Sequence, residues 1–381
     1  MKKTFDEVVL FARTGLNPRQ NFKLGQGKNK YITIKNIKNN KLTVDDNTDV
    51  VDDDAIKMIH KRSQIKKGDI LFASIGRMGD MYILEEEPVG WDINESVFAF
   101  TLDTNIVRQK YFYYIFRVKT TLDYLASNSS GSTFKSIKMN QLKRMVFDIP
   151  SIEEQDRIIA TLDMVCNVIE MRKRELISLD KLIKARFVEM FGTIHDNKFE
   201  YDICTIQSVC EQIKDGTHQT PEYTDDIING FKFLSSKDVT SGKINWDGIK
   251  YIPECLHNNL YKRIAPRKGD ILLAKNGTTG VAAIVDVDEI FDIYVSLALL
   301  RPIEMNSIYL CAAINSQETK EQFNRSLKGI GVPNLHLGEI KKTKILNPPI
   351  KMQNEFANFV AQVDKSKLTL CRYNVMEYKC E

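Results

Sequence analysis

The chain has little from which to build a metal centre or a disulfide framework. Its seven cysteines include no C-x-x-C pair, Cys204 and Cys210 being the closest two, and its five histidines include no H-x-x-x-H spacing. Structural zinc is therefore not expected, and the thiols read as those of a reduced, cytoplasmic protein. Long apolar runs are also missing. Stretches such as Ile293 to Leu300 are far too short to span a bilayer, and the opening Met-Lys-Lys-Thr-Phe-Asp-Glu lacks the apolar core of a signal peptide. No membrane partner is expected. Acidic residues are absent from whole segments. Between Val8 and Val44 there is no Asp or Glu, while Arg13, Arg19, Lys23, Lys28, Lys30, Lys35, Lys38 and Lys41 stand there. Thr104–Leu122 and Tyr124–Phe147 are similarly basic, the first mixed with Tyr and Phe, the second with Ser. The net charge is only +4, so its distribution says more than its total. Segregated positive charge beside small polar residues suits phosphate contacts, and ordinary solvated surface is the competing reading for each segment.

What the chain has is a repeat. Lys67-Gly68-Asp69-Ile70-Leu71-Phe72-Ala73 returns as Lys268-Gly269-Asp270-Ile271-Leu272-Leu273-Ala274, an offset of 201. Each copy leads into a Gly-bounded loop, Gly76-Arg77-Met78-Gly79 and Gly277-Thr278-Thr279-Gly280. Independently, Ile149-Pro150-Ser151-Ile152-Glu153-Glu154-Gln155 corresponds to Asn347-Pro348-Pro349-Ile350-Lys351-Met352-Gln353, an offset of 198. In 381 residues this is one duplication spanning nearly the whole chain, with room for a core in each half.

Residues 1–150 read as a mixed domain, with β-like runs over Tyr31–Ile37, Asp69–Ile75 and Ser96–Leu102 and a helical stretch near 110–126. A long helix is expected over 151–192, with Ser151 as N-cap, Glu154 completing a capping box and Gly192 as the stop. Ile158, Leu162, Val165, Ile169, Leu176, Leu179 and Ile183, with Arg172 and Arg186, alternate by four and three as a coiled-coil seam does. Roughly 39 residues at 1.5 Å each make a rod of about 58 Å, too long to lie on one small domain. Residues 193–348 repeat the mixed domain, with β-like runs at Phe231–Ser235, Asp270–Ala274 and Tyr294–Leu300. Residues 349–381 repeat the helix through Phe356, Phe359, Val363, Leu370 and Tyr373, stopping some ten residues before its counterpart. The expected fold is α+β: two similar mixed domains separated by two long antiparallel coiled-coil helices, as a pseudo-twofold repeat.

Several motifs resemble catalytic ones and fall short. Asn347-Pro348-Pro349-Ile350 is close to the Asn-Pro-Pro-aromatic motif of amino-methyltransferases, but Ile cannot stack on a flipped base. The repeat aligns it with Ile149-Pro150-Ser151-Ile152, so it reads as a helix start. Gly329-Ile330-Gly331 lacks the third Gly and the preceding strand of a nucleotide loop. Glu377-Tyr378-Lys379 has no Pro-Asp partner upstream for a nuclease site. No catalytic residue and no metal ligand is assigned.

These residues resemble the specificity subunit of type I restriction–modification systems. Lys-Gly-Asp-Ile-Leu stands in each half, and Ile149-Pro150-Ser151-Ile152-Glu153-Glu154-Gln155 opens the central helix. Asp215-Gly216-Thr217-His218-Gln219-Thr220-Pro221 with Phe233-Leu234-Ser235-Ser236-Lys237-Asp238-Val239 looks like the opening of one target-recognition domain. Gly15-Leu16-Asn17-Pro18-Arg19-Gln20-Asn21-Phe22 with Tyr31-Ile32-Thr33-Ile34-Lys35-Asn36-Ile37 looks like another. Tyr294 to Pro302, Gly331-Val332-Pro333-Asn334-Leu335 and Leu182 to Gly192 also match. The resemblance implies a non-catalytic reader of double-stranded DNA, each domain taking half of a split, asymmetric target. It places S-adenosylmethionine-dependent adenine methylation in two methyltransferase subunits gripping the helices. ATP- and Mg-dependent cleavage would belong to restriction subunits, leaving no cofactor for this chain. Motifs common to both halves should be scaffold, and recognition should sit on loops that differ, through side chains able to read base edges. The candidates are Arg19, Asn21, Lys35, Arg77 and Lys135 in the first domain. In the second they are His218, Lys237, Lys275, Asn276, Thr278 and Thr279. The seam residues, with Phe356 and Val363, would join the helices. A specificity subunit of a related type IIB-like system, a coiled-coil scaffold that binds no DNA, and an enzyme in its own right are the alternatives.

Overall fold

The computed structural model describes residues 1–38, 41–131, 135–277, 279–327 and 334–377, without the side chains of 371–377. The chain divides into two compact units, Met1–Val168 and Ile169–Glu381. In the first, a four-stranded antiparallel sheet runs in the order Val9–Thr14, Val97–Leu102, Ile70–Ala73, Met81–Ile83. A three-stranded sheet orders Val50–Val51, Asn29–Ile32, Trp91–Ile93, its last two strands parallel. The second unit repeats both sheets strand for strand. Cys210–Asp215, Leu297–Pro302, Ile271–Ala274 and Ala282–Ile284 form one; Lys250–Ile252, Phe231–Leu234 and Phe291–Ile293 form the other.

The expected strands are present but shorter, for local reasons. Strand Asn29–Ile32 stops because the Asn36 side chain accepts the backbone N–H of Thr33 and turns the chain. Tyr294–Leu300 is not one run, because the N–H of Leu297 bonds the carbonyl of Tyr294 and makes a turn between two strands. The helical stretch near 110–126 is two helices, Gln109–Ile115 and Lys119–Ser127.

The repeated Lys-Gly-Asp is a turn built around a buried charge. Gly68 and Gly269 have φ of 88° and 92°, which favours glycine. The following aspartates, nearly inaccessible, accept the N–H of Lys66 and of Arg267 and so close the turn. Each also binds an arginine. Asp69 takes Arg13 at 2.8 Å together with the Thr101 hydroxyl, whereas Asp270 takes Arg301 in a two-pronged contact at 2.8 and 2.7 Å. Register puts Arg301 where Thr101 stands and Lys214 where Arg13 stands, so the cation has moved to the neighbouring strand. Donating to the Asp270 carboxylate holds the Arg301 guanidinium above its ordinary pKa.

Helix Ile152–Phe191 starts where the N–H of Glu154 bonds the Ser151 hydroxyl. It ends at Gly192, whose φ is 71° and whose N–H returns to the carbonyl of Val188. The buried Gln155 amide ties its start to the domain, accepting from the N–H of Arg108 and donating to the carbonyls of Ile106 and Pro150. Gln353 does the same for helix Ile350–Glu377 through the N–H of Asn306 and the carbonyl of Pro348. Within the second unit the two helices run antiparallel: Phe187 meets Phe356, Arg186 lies over Phe359, and Asp180 meets Lys367. Ile169, Leu176, Leu179 and Ile183 are half-buried, and Phe356, Val363 and Leu370 are buried. In the first unit Ile158 and Leu162 are half-buried, while Val165 is exposed. Arg172 and Arg186 bond Glu175 and Glu189 of their own helix, and among the described residues neither bonds an acid of the facing one. Lys367 is the unforeseen seam residue. Burial works against its charge, but Asp180 and Asp364 outweigh that and raise its pKa.

Removing Asp270 would leave the largely buried Arg301 guanidinium without its two close hydrogen bonds, with Glu211 at 3.8 Å as a weaker counter-ion. Asp270→Ala is therefore expected to destabilise the protein by about 3–5 kcal/mol, and Asp270→Ala combined with Arg301→Leu should recover most of that. Thermal denaturation of both variants checks this; an unchanged Tm for the single variant would contradict it.

Candidate nucleic-acid interface

In the first unit the turn Asn94–Ser96, between strands Trp91–Ile93 and Val97–Leu102, gathers three other segments. The carbonyl of Asn94 accepts from Gly15, its N–H donates to Ile32, and the carbonyl of Ser96 accepts from Ser74. The loop after each of these strand ends carries sequence candidates. Lys35 is exposed on the turn after Ile32, and Arg77 is exposed on the Gly76–Gly79 loop after Ser74. Lys135 lies beside that loop, its carbonyl accepting the N–H of Gly76. The Arg77 guanidinium itself spans the group, donating to the carbonyls of Ile34 and Ile37 and pairing with Asp80. Lys35, Arg77 and Lys135 are thus brought together. Arg19 and Asn21 are exposed on the loop after Gly15, where Phe22 packs edge-on against Tyr31 and the Tyr31 hydroxyl donates to the carbonyl of Leu16. Among the described residues no hydrogen bond joins that loop to the Lys35–Arg77–Lys135 group.

The second unit does the same around Tyr294–Ser296. Tyr294 N–H bonds Leu234, Val295 N–H bonds Thr217, the Ser296 hydroxyl accepts from Ser236 N–H, and the Ser296 carbonyl accepts from Lys275. His218, Lys237 and Asn276 therefore emerge close to one turn, the first two exposed and Asn276 half-buried. Asn276 bridges to Asn334, whose Oδ1 is shielded and has no partner among the described residues. Thr279 is half-buried, with its N–H and hydroxyl both on the carbonyl of Gly277; Thr278 lies outside the described residues.

Lys275 differs from the other candidates. Its side chain is buried and its ammonium bonds Asp215 Oδ2, the oxygen that also takes His218 Nε2. Burial disfavours the charged carboxylate, but the hydrogen bond and attraction from Lys275, with His218 adding to them, hold Asp215 below the usual carboxylate range. Sequence reasoning missed Asp215 and also Arg263, whose guanidinium donates to the carbonyls of Asp215 and Gly216. Their only signal was the opening Asp-Gly-Thr-His run, and Arg263 lies 47 positions from Gly216. The turn Tyr294–Ser296 was missed because it sits inside an apparent strand, and the turn Asn94–Ser96 overlaps one at Ser96. Among the described residues no cluster of His, Cys, Asp or Glu could hold a metal ion, and no helix is long and apolar enough to cross a membrane.

The family model for the type I restriction modification DNA specificity domain matches residues 1–181 and 200–374. The specificity subunit of the type I restriction enzyme MjaVIII from Methanocaldococcus jannaschii is 21% identical over 328 residues, covering 81% of this chain and 75% of that one. Among solved structures, a chain from work on complex assembly and conformational transition of the type I R-M system superposes with a TM-score of 0.58. That pair is 16% identical and covers 99% of this chain and 93% of that chain. The type I restriction-modification S subunit from M. genitalium gives 0.52 at 16% identity, covering 98% and 91%. The duplicated frame, the paired loop clusters and the family match over both halves together make this chain a member of the type I restriction–modification specificity subunits, with two target-recognition domains.

Proposed function

We propose that the chain reads a bipartite, asymmetric DNA target, one half with each domain, and catalyses nothing itself. The observation that carries this is the pairing of one frame with two different sets of polar side chains, all exposed except the half-buried Asn276. Around Asn94–Ser96 stand Lys35, Arg77 and Lys135; around Tyr294–Ser296 stand His218, Lys237 and Asn276. Cationic and amide side chains on rigidly tied loops suit phosphates and base edges. Arg19, Asn21, Thr278 and Thr279 complete the candidate contacts, and Lys275 acts from beneath. The reading domains are residues 1–150 and 193–348, and the spacer helices are 151–192 and 349–381.

The helices set the unspecified spacing between the half-sites. One helical turn of DNA is about 34 Å, within the span of a rod of about 60 Å. Their outer faces dock two methyltransferase subunits, which restriction subunits then join in a cytoplasmic complex. Met164, Val168, Met171 and Leu182 are exposed apolar residues on one side of the long helix, and such a row suits a protein partner. Methyl transfer and ATP-driven cleavage belong to those partners.

Exchanging residues 1–150 for another such domain is expected to alter one half of the methylated sequence and leave the other intact. Methylome sequencing reads the outcome, and a change in both halves would sink the assignment. Inserting one heptad after Ile169 is expected to lengthen the spacer by about three base pairs, since seven residues rise about 10 Å. The same sequencing should find both half-sites unchanged.

A further inference from the structure

We propose that Lys275 and Asp215 form an ionic pin beneath the second reading face, positioning His218 and the segment after it without touching DNA. The inference rests on the DNA-reading function proposed above. Lys275 leaves strand Ile271–Ala274 at the point where its loop begins, yet its side chain is only 6% exposed. Its ammonium lies 3.1 Å from Asp215, at the end of strand Cys210–Asp215, and the same oxygen holds His218, which is 70% exposed. A lysine held this way has its charge matched inside the protein and its head group out of reach of a phosphate.

The segment it holds is fixed from several sides. Arg263 donates to the carbonyls of Asp215 and Gly216. Thr217 exchanges backbone hydrogen bonds with Ile293 and Val295. Gly216 passes so close to strand Phe291–Ile293 that a Cβ there would lie 2.0 Å from the carbonyl oxygen of Ile293. Lys275 also links the neighbouring loops through its backbone, donating to Ser296 and accepting from Leu335. One residue thus ties the His218 segment, the gathering turn and the Asn276–Asn334 bridge.

The first half solves the same problem without charge. The positions matching Asp215, His218 and Lys275 are Thr14, Asn17 and Ser74, and the Ser74 hydroxyl simply donates to the carbonyl of Ser96. The ionic pin therefore belongs to the second reading face alone.

Removal of Lys275 strands a carboxylate next to a surface that must approach phosphates. Neutralising Asp215 as well relieves that repulsion. A lysine that bound phosphate directly could not be rescued in this way. The test uses the chain assembled with its methyltransferase subunits, on duplexes carrying the methylome-defined target or the target with either half scrambled. Lys275→Met is expected to weaken target binding roughly tenfold or more and to erode discrimination at the second half only. Asp215→Asn with Lys275→Met should return to within about threefold of wild type, with an unchanged slope of affinity against salt concentration. Asp215→Thr with Lys275→Ser, the residues of the first half, should behave likewise even if Lys275→Met alone folds poorly. Double variants as weak as the single one, with the salt slope reduced by about one, would make Lys275 a phosphate contact and overturn the proposal. Wild-type affinity and discrimination in Lys275→Met would overturn it too. A wild-type complex that discriminates neither half would instead defeat the DNA-reading function on which the proposal stands.

Discussion

A carboxylate withdrawn from water must find a cation and hydrogen-bond donors, and in each half of this protein the aspartate after Lys-Gly finds both in one place. Asp69 and Asp270 close the turn from which the central strands Ile70–Ala73 and Ile271–Ala274 depart. The arginine clamps that turn to the adjacent strand in the second half and to the next strand but one in the first. The glycine within it offers its carbonyl to Gln109 or Ser307 on the first helix that follows the sheet, and its N–H to Leu84 or Val285, just past the next strand. Strand, helix and hairpin are thereby fixed relative to one point. The far end of the same strand delivers Ser74 or Lys275 to the reading face. Loops there can differ freely because their anchor, Asp69 or Asp270, lies five positions before Ser74 or Lys275, in the core.

What the duplication has preserved is the pairing, and the donors have been free to move. The guanidinium for Asp69 comes from Arg13 and that for Asp270 from Arg301, on adjacent strands of otherwise matching sheets. A second buried acid shows the same freedom. Asp92 and Asp292 occupy matching strands, and burial raises the pKa of both. Each is met by a histidine from the neighbouring helix, His60 at 3.1 Å and His257 at 2.7 Å. His257 comes from an earlier turn of its helix and is covered by Phe231 stacked at 3.7 Å, whereas His60 stays partly open. Buried charge must be compensated, but geometry allows more than one source.

This explains how much could be read from sequence. The long helix was legible from start to stop, because Ser151, the heptad spacing and Gly192 are local signals. Lys-Gly-Asp was legible as scaffold because it occurs twice. Helix Asp53–Ser63 was hidden inside an acidic stretch, although Asp52 caps it by accepting from the N–H groups of Asp54 and Ala55. The reading faces were legible only as a list of loops. Lys275 looked like a free cation on a loop, and only the fold brings Asp215 to it across 60 positions. Arg172 and Arg186 fell on the seam by spacing, yet their partners were acids three residues along the same helix.

Lys367 carries the same logic into the helices. A polar residue at a seam position weakens apolar packing and in return disfavours other registers, in which its charge would lie buried without a partner. Here the aromatic group of Phe187, Phe191, Tyr309 and Phe356 anchors the base of the helix pair in the core of the second unit. Lys367 stands eleven residues beyond Phe356, about 16 Å along the helix and past Val360, the last described residue of this helix to pack on the second unit's core. At that height Asp180 from the facing helix and Asp364 from its own supply the counter-charge. Slippage by one turn would separate Lys367 from Asp180 and leave its buried ammonium with Asp364 of its own helix as the remaining acid. The pairing is therefore specified twice, by packing at the base and by charge farther out, which is what a pair of helices needs if its length is to have meaning.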